Sequence, residues 1–187
     1  VLRIDGTSSV LAPEPGAGSA WYGMEEAIRL GAEALCVTSF TATEYEEDHL
    51  KTLAAVIRQG HRYGIPVMAE MMPGGFEAGP EKRTLHHMKT TARVAAELGA
   101  DWVKIPYCED FDQVVDTCYV PVVVLGGVNN PDKKAVLSMI RDAMDAGASG
   151  ATVGRNIWQA EDPAAMTRAI AGIIHRNLSL DEALEIL

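Results

Sequence analysis

A lysine inside a short apolar run is the residue with the clearest chemical potential. Lys104 lies in Gly99-Ala100-Asp101-Trp102-Val103-Lys104-Ile105-Pro106-Tyr107. Burying an ammonium costs several kcal/mol unless it is paired or neutralised. Burial also weakens an amine's hold on its proton, and a neutral amine is the nucleophile of Schiff-base chemistry. The plain alternative is an edge-strand lysine whose stem covers apolar surface while its head reaches water. Glu70 is the only ionisable residue in the apolar run 66–72, where it shares parity with Met72. It suits an acid/base role or partnership with Lys104, and equally an outward position bonded to a helix. Arg3 and Asp5 share parity in the run 1–6, which suits an inward ion pair or contacts to substrate hydroxyls.

Two runs end in glycine. Leu125-Gly126-Gly127 closes one, and Val153-Gly154-Arg155-Asn156 closes the next. Glycine lets backbone N–H groups approach an anion, and an arginine forks onto phosphate oxygens, so Gly126, Gly127, Gly154 and Arg155 form a candidate phosphate site. The competing reading is that these glycines only make tight turns. The five histidines do not converge: His86 and His87 are adjacent on a helical pattern and diverge by about 100°. No zinc or redox spacing joins them to Cys36, Cys108 or Cys118, which disfavours a metal-dependent mechanism and reads as reduced thiols in a cytoplasmic protein. The chemistry rests on side chains, and no cofactor is expected.

Parallel strands are the elements that would position these residues. Apolar runs at 1–6, 34–40, 66–72, 102–107, 121–127 and 150–155 alternate with amphipathic stretches. Runs that are apolar at nearly every position suit strands covered on both faces. After Asp132, a plausible N-cap, Val136, Met139, Ile140, Ala143 and Met144 share one face up to Gly147. Asp162 and Pro163 open another helix, with Met166, Ala169, Ile170, Ile173 and Ile174 apolar. Leu30-Gly31-Ala32, Leu98-Gly99-Ala100 and Ala146-Gly147-Ala148 form a weak repeat, each ending a helix before a strand. Six βα units in 187 residues average roughly 31 each, the spacing of a (β/α)₈ barrel of about 250 residues. The fold expected is therefore α/β of the TIM-barrel type, with an open doubly wound sheet as runner-up. In such a barrel the site lies at the C-terminal ends of the strands. Two Gly/Pro-rich connections, 7–20 and 73–80, fall on that side and suit substrate lids.

The formal net charge of −10 argues against a nucleic-acid partner, and no apolar window is long enough to span a membrane. The apolar fraction of 48% is enough for one domain with its own core.

The motif order resembles the archaeal-type class I fructose-bisphosphate aldolases, whose relatives include aminodideoxyheptulosonate synthases and the thiolase that degrades phosphorylated autoinducer-2. Gly99-Ala100-Asp101-Trp102-Val103-Lys104 is similar to the family's Gly-Ala-Asp-x-x-Lys strand, and the resemblance implies that Lys104 forms the Schiff base. Gly126-Gly127 and Val153-Gly154-Arg155-Asn156-Ile157-Trp158-Gln159 resemble its two phosphate-binding segments, and Thr43-Glu44-Tyr45-Glu46 resembles the thiolase-like branch. By this resemblance the chain corresponds to the third through eighth βα units of the barrel. The family's first unit carries an Asp-His-Gly segment whose aspartate assists proton transfer, and nothing in this chain matches it. Met72 stands where the aldolases carry an acid/base tyrosine, and a thioether transfers no proton. Glu70 and Tyr107 are the available substitutes. The implied activity is a class I aldolase acting on a phosphorylated sugar, in a homo-oligomer. Thiolase or transaldolase chemistry on a phosphorylated dione or ketose is the alternative, and a non-catalytic sugar-phosphate binder is a third reading.

Overall fold

The run 1–6 splits in two. β1 (Leu2–Arg3) enters a parallel sheet, whereas β2 (Asp5–Gly6) pairs antiparallel with β3 (Ser19–Ala20). The break falls at Ile4, whose side chain is buried and whose carbonyl accepts the N–H groups of both Trp21 and Tyr22 at 2.8 and 3.1 Å. The returning chain thus takes the hydrogen bond that a longer strand would have used, so the single strand expected over 1–6 does not form. The computed structural model describes residues 1–6, 11 and 16–187, and most of the Gly/Pro-rich connection 7–20 lies outside the described residues.

The next runs form strands close to their expected bounds: β4 (Leu35–Ser39), β5 (Val67–Met71), β6 (Trp102–Ile105) and β7 (Val122–Leu125). β8 (Gly150–Thr152) stops earlier than expected, because the chain turns at Gly154 into a short helix. The six-stranded sheet runs β1-β4-β5-β6-β7-β8, every neighbouring pair parallel. Sequential order without reversal is the winding of a (β/α) barrel; a doubly wound sheet reverses at a switch point. The curled parallel sheet is therefore a partial TIM barrel, and the doubly wound alternative is set aside.

Strand alternation divides labour between two faces. Leu35, Val37, Val67, Ala69, Val103 and Ile105 are all fully buried and share one core with the helices. That core takes Ala27 of α1 (Met24–Arg29), Leu53 and Ile57 of α2 (Glu46–Tyr63), Met88 and Ala92 of α3 (Leu85–Glu97), and Phe111 of α4 (Phe111–Thr117). Each such aliphatic side chain contributes about 1.5–3 kcal/mol by leaving water. A second cluster joins α5 (Lys133–Asp145), α7 (Pro163–Arg176) and α8 (Leu180–Leu184), with α6 (Arg155–Trp158) beside it. The expected faces are the buried ones: Val136, Ile140 and Ala143 on α5, and Met166, Ala169, Ile170 and Ile173 on α7. Asp132 and Asp162 cap these helices through the N–H groups of Ala135 and Ala165, as their positions predict.

Asp101, in the Gly-Ala-Asp motif, fixes where β6 starts. Its Oδ2 accepts the Val67 N–H at 2.7 Å and meets His61 Nε2 of α2 at 3.0 Å. That carboxylate ties the entry of β6 to β5 and α2, and so sets the register that carries Lys104.

Candidate active site

Thr38, Glu70 and Lys104 are register partners on β4, β5 and β6, so they share one face of the sheet. The opposite parity on the same strands fills the helix-facing core. Lys104 therefore projects to the inner face, away from the helices. Its Nζ lies 2.6 Å from Oε1 of Glu70, with the two side chains only 20% and 9% exposed. The other carboxylate oxygen of Glu70 accepts the Thr38 hydroxyl at 2.8 Å and lies 3.5 Å from Nη1 of Arg3. Arg3 Nε in turn lies 3.4 Å from Asp5. Two cations and two carboxylates thus alternate in the order Lys104, Glu70, Arg3, Asp5. Glu70 takes the inward position, and Arg3 and Asp5 form the inward pair that their parity suggested.

The electrostatics differ across the chain of charges. Burial by itself would raise the Glu70 carboxyl, but Lys104, Thr38 and Arg3 together outweigh it and hold the group below the usual glutamate value. Burial raises Asp5, only partly opposed by Arg3, and Glu70 adds to the rise. Among the described residues, no hydrogen bond of standard geometry reaches either oxygen of Asp5. Cys36, the register partner of Arg3, is pushed up to about 12 by burial and by Glu70 and Asp5.

The Asp5 shift has a direct consequence for stability. A folded-state pKa above the ordinary 3.8 means that the native protein holds this proton more tightly than the unfolded chain. Stability from this group is full below that value and falls as pH rises through the raised one. Asp5→Asn is expected to raise the thermal midpoint at pH 7 and leave it unchanged near pH 3. A midpoint that falls at pH 7 would show that the charged form supports the fold.

The segment after β5 covers this end of the site. Gly74 N–H bonds to Thr41 O at 2.7 Å, and Arg83 Nη2 donates to Gly75 O at 2.7 Å. These bonds place Phe76 edge-on against buried Phe40, 5.1 Å between ring centroids, and 5.8 Å from the Arg3 guanidinium. His49 of α2, fully buried, lies against Phe40 and binds Gly16 O through Nε2 at 2.9 Å, anchoring the described end of the other connection.

The glycine loops meet at the far side of the sheet. Gly126 sits so close to Val153 that a Cβ there would lie 2.8 Å from its Cγ1. Gly127, at φ +67°, is exposed and takes the left-handed turn. Gly154 is the N-cap of α6, and Arg155 is its first residue with an exposed side chain, not the last residue of a strand. Asn156, buried on α6, joins the two loops. Its Nδ2 donates to Gly126 O at 2.6 Å and Val128 O at 3.0 Å, and its Oδ1 accepts the Asn130 N–H at 2.7 Å. Sequence reasoning passed over Asn156; the available signal was a carboxamide beside Gly154-Arg155 in an otherwise apolar segment.

Tyr107 lies apart from the Lys104–Glu70 pair. It has the parity of Val103 and Ile105, and its ring packs 5.4 Å from Phe111 on the helical side. Met72 is buried, and its N–H is spent on Ser39 O. Among the described residues, Glu70 is the ionisable group in contact with Lys104.

Residues 10–160 match the family model described as DeoC/LacD family aldolase. A 3-hydroxy-5-phosphonooxypentane-2,4-dione thiolase of Photorhabdus laumondii subsp. laumondii is 35% identical over the whole chain, which covers 62% of that protein. An uncharacterized aldolase of Saccharolobus solfataricus is 35% identical over 89% of this chain and 63% of its own length. The chain thus spans about three-fifths of these curated relatives. Among solved structures, an archaeal fructose 1,6-bisphosphate aldolase superposes with a TM-score of 0.85 at 30% identity, covering 93% of this chain and 70% of that one. A structure of an archaeal fructose-1,6-bisphosphate aldolase whose catalytic lysine is covalently bound to the carbinolamine intermediate of its substrate matches with the same score, identity and coverage.

Proposed function

This chain belongs to the DeoC/LacD family of aldolases, and from that premise we propose that it carries the Schiff-base centre of a class I aldolase acting on a phosphorylated sugar or ketose. Lys104 is the nucleophile. The observation that carries the reading is its Nζ on the inner face, 2.6 Å from a carboxylate. Attack on a ketone needs a free electron pair on nitrogen, and Glu70 Oε1 is within reach to take the proton. Loss of water from the carbinolamine gives an iminium, which draws electrons from the adjacent carbon–carbon bond and lets it break or form through an enamine.

The substrate phosphate sits at the glycine loops, against N–H groups near Gly127 and Gly154, with Arg155 closing on its oxygens. Gly126 and Asn156 support this placement, because they hold the two loops together without occupying the exposed turn at Gly127. Arg3 and Asp5 lie at the opposite end, beneath Phe76. Fructose-bisphosphate specificity, a homo-oligomeric assembly and a cytoplasmic setting belong to the same reading.

Borohydride reduction of the intact protein with dihydroxyacetone phosphate is expected to leave a stable adduct on Lys104, located by peptide mass spectrometry. An unmodified Lys104 in a preparation that turns over substrate ends the proposal. A second reading, thiolase-type cleavage of a phosphorylated dione, is favoured by relatives bearing that name at 35–37% identity. Product analysis with each substrate class separates the two.

A further inference from the structure

The Glu70 carboxylate is used asymmetrically. Among the described residues, the partner of Oε1 is Lys104, at 2.6 Å. Oε2 carries the Thr38 hydroxyl at 2.8 Å and the Arg3 guanidinium at 3.5 Å. A carboxylate held by one oxygen has its other oxygen aimed, and the aim here is at the nucleophile's nitrogen. We propose that Arg3 and Thr38 are positioning residues that anchor Oε2 of Glu70 so that Oε1 serves as the resident acceptor of the Lys104 proton. The inference rests on Lys104 acting as the Schiff-base lysine and deepens that reading.

The proton balance closes within the pair. One proton moves from Nζ to Oε1, turning ammonium and carboxylate into amine and carboxylic acid. The amine adds to the substrate carbonyl, and its surplus proton passes to the alkoxide oxygen so formed, giving the carbinolamine hydroxyl. Glu70 then returns its proton to that hydroxyl, which leaves as water, and the iminium faces a carboxylate again. The pair begins and ends with one positive and one negative charge, so no external base is needed.

Among the described residues, the groups facing Glu70 are Lys104 from β6, Thr38 and Cys36 from β4, Arg3 from β1 and Asp5 from β2. Of these, Thr38 and Arg3 are the contacts on Oε2. Arg3 is itself restrained, by Asp5 on Nε and by the Phe76 ring near its guanidinium. Its side chain is 43% exposed, so solvent screens part of its pull. Arg3 favours the ionised Glu70, and losing that cation makes Glu70 take up a bulk proton at higher pH, which blocks the acceptor.

The test is the pH dependence of adduct formation in the intact protein, followed as the rate of borohydride trapping with dihydroxyacetone phosphate. Arg3→Met is expected to move the acid limb upward by about one pH unit. Arg3→Lys should restore most of the wild-type limb, and Thr38→Val should shift it upward independently. A merely structural role for Arg3 would lower the rate at every pH without moving the limb, and that outcome overturns the proposal. Should Arg3→Met not fold, Thr38→Val carries the same test, and an unshifted limb there is equally fatal. Wild-type protein that forms no adduct at any pH would instead refute the Schiff-base reading, so the two failures are distinguishable.

Discussion

Lys104→Met in the intact protein is expected to abolish borohydride trapping and to lower turnover of a phosphorylated ketose by about a thousandfold or more. Methionine preserves much of the stem's volume and removes only the nitrogen. Glu70 then keeps Thr38 and Arg3 but loses the cation at 2.6 Å. Stranding one partner of a largely buried pair costs about 3 kcal/mol, so the variant should also melt earlier. Lys104→Arg separates the two effects. It returns a cation to Glu70 and recovers part of the stability, yet a guanidinium is no Schiff-base nucleophile and activity stays lost. Turnover within tenfold of wild type in either variant, with the fold verified by circular dichroism, would remove lysine from the chemistry.

Asn156→Ala carries the second large effect, on stability and substrate affinity together. The side chain makes three hydrogen bonds, to Gly126 O, Val128 O and the Asn130 N–H. Deleting it strands groups on two loops, at about 1 kcal/mol each and more where water cannot enter. The expected loss is about 3 kcal/mol, a fall in Tm on the order of 10 °C. The loops at Gly127 and Gly154 would also lose their common tie, so KM for a phosphorylated substrate should rise more than kcat falls. A variant that melts with the wild type and keeps its KM would show that each loop holds its shape alone.

The sheet was legible because most of its strands are apolar at nearly every position, on the inner face as well as the helix-facing one. Val122-Val123-Val124-Leu125 has no polar residue to suggest another structure, and β7 falls inside the expected run. Lys104 and Glu70 were legible for the converse reason, as lone charges in strands with no polar neighbour of their own. What the pattern did not carry depends on partners distant in sequence. The break at Ile4 is made by Trp21 and Tyr22 claiming its carbonyl, which no local periodicity announces. Arg155 reads as strand because Ala151, Thr152 and Val153 precede it, yet Gly154 turns the chain into α6. Asn156 is defined by acceptors about 30 residues earlier, in a loop without repeating pattern. The role of Thr38 is equally invisible until β4 and β5 are in register.

The environment of Cys36 has a bearing on what the site can tolerate. Thiolates add readily to aldehydes and ketones, giving hemithioacetals that would sequester a reactive carbonyl compound. With its pKa pushed to about 12, on the order of one Cys36 in 10⁵ is ionised at neutral pH. Burial does most to silence this sulfur, and the Glu70 and Asp5 carboxylates add to it. An electrophile reaching the inner face therefore finds Cys36 protonated, and reagents selective for thiolates should pass this sulfur by.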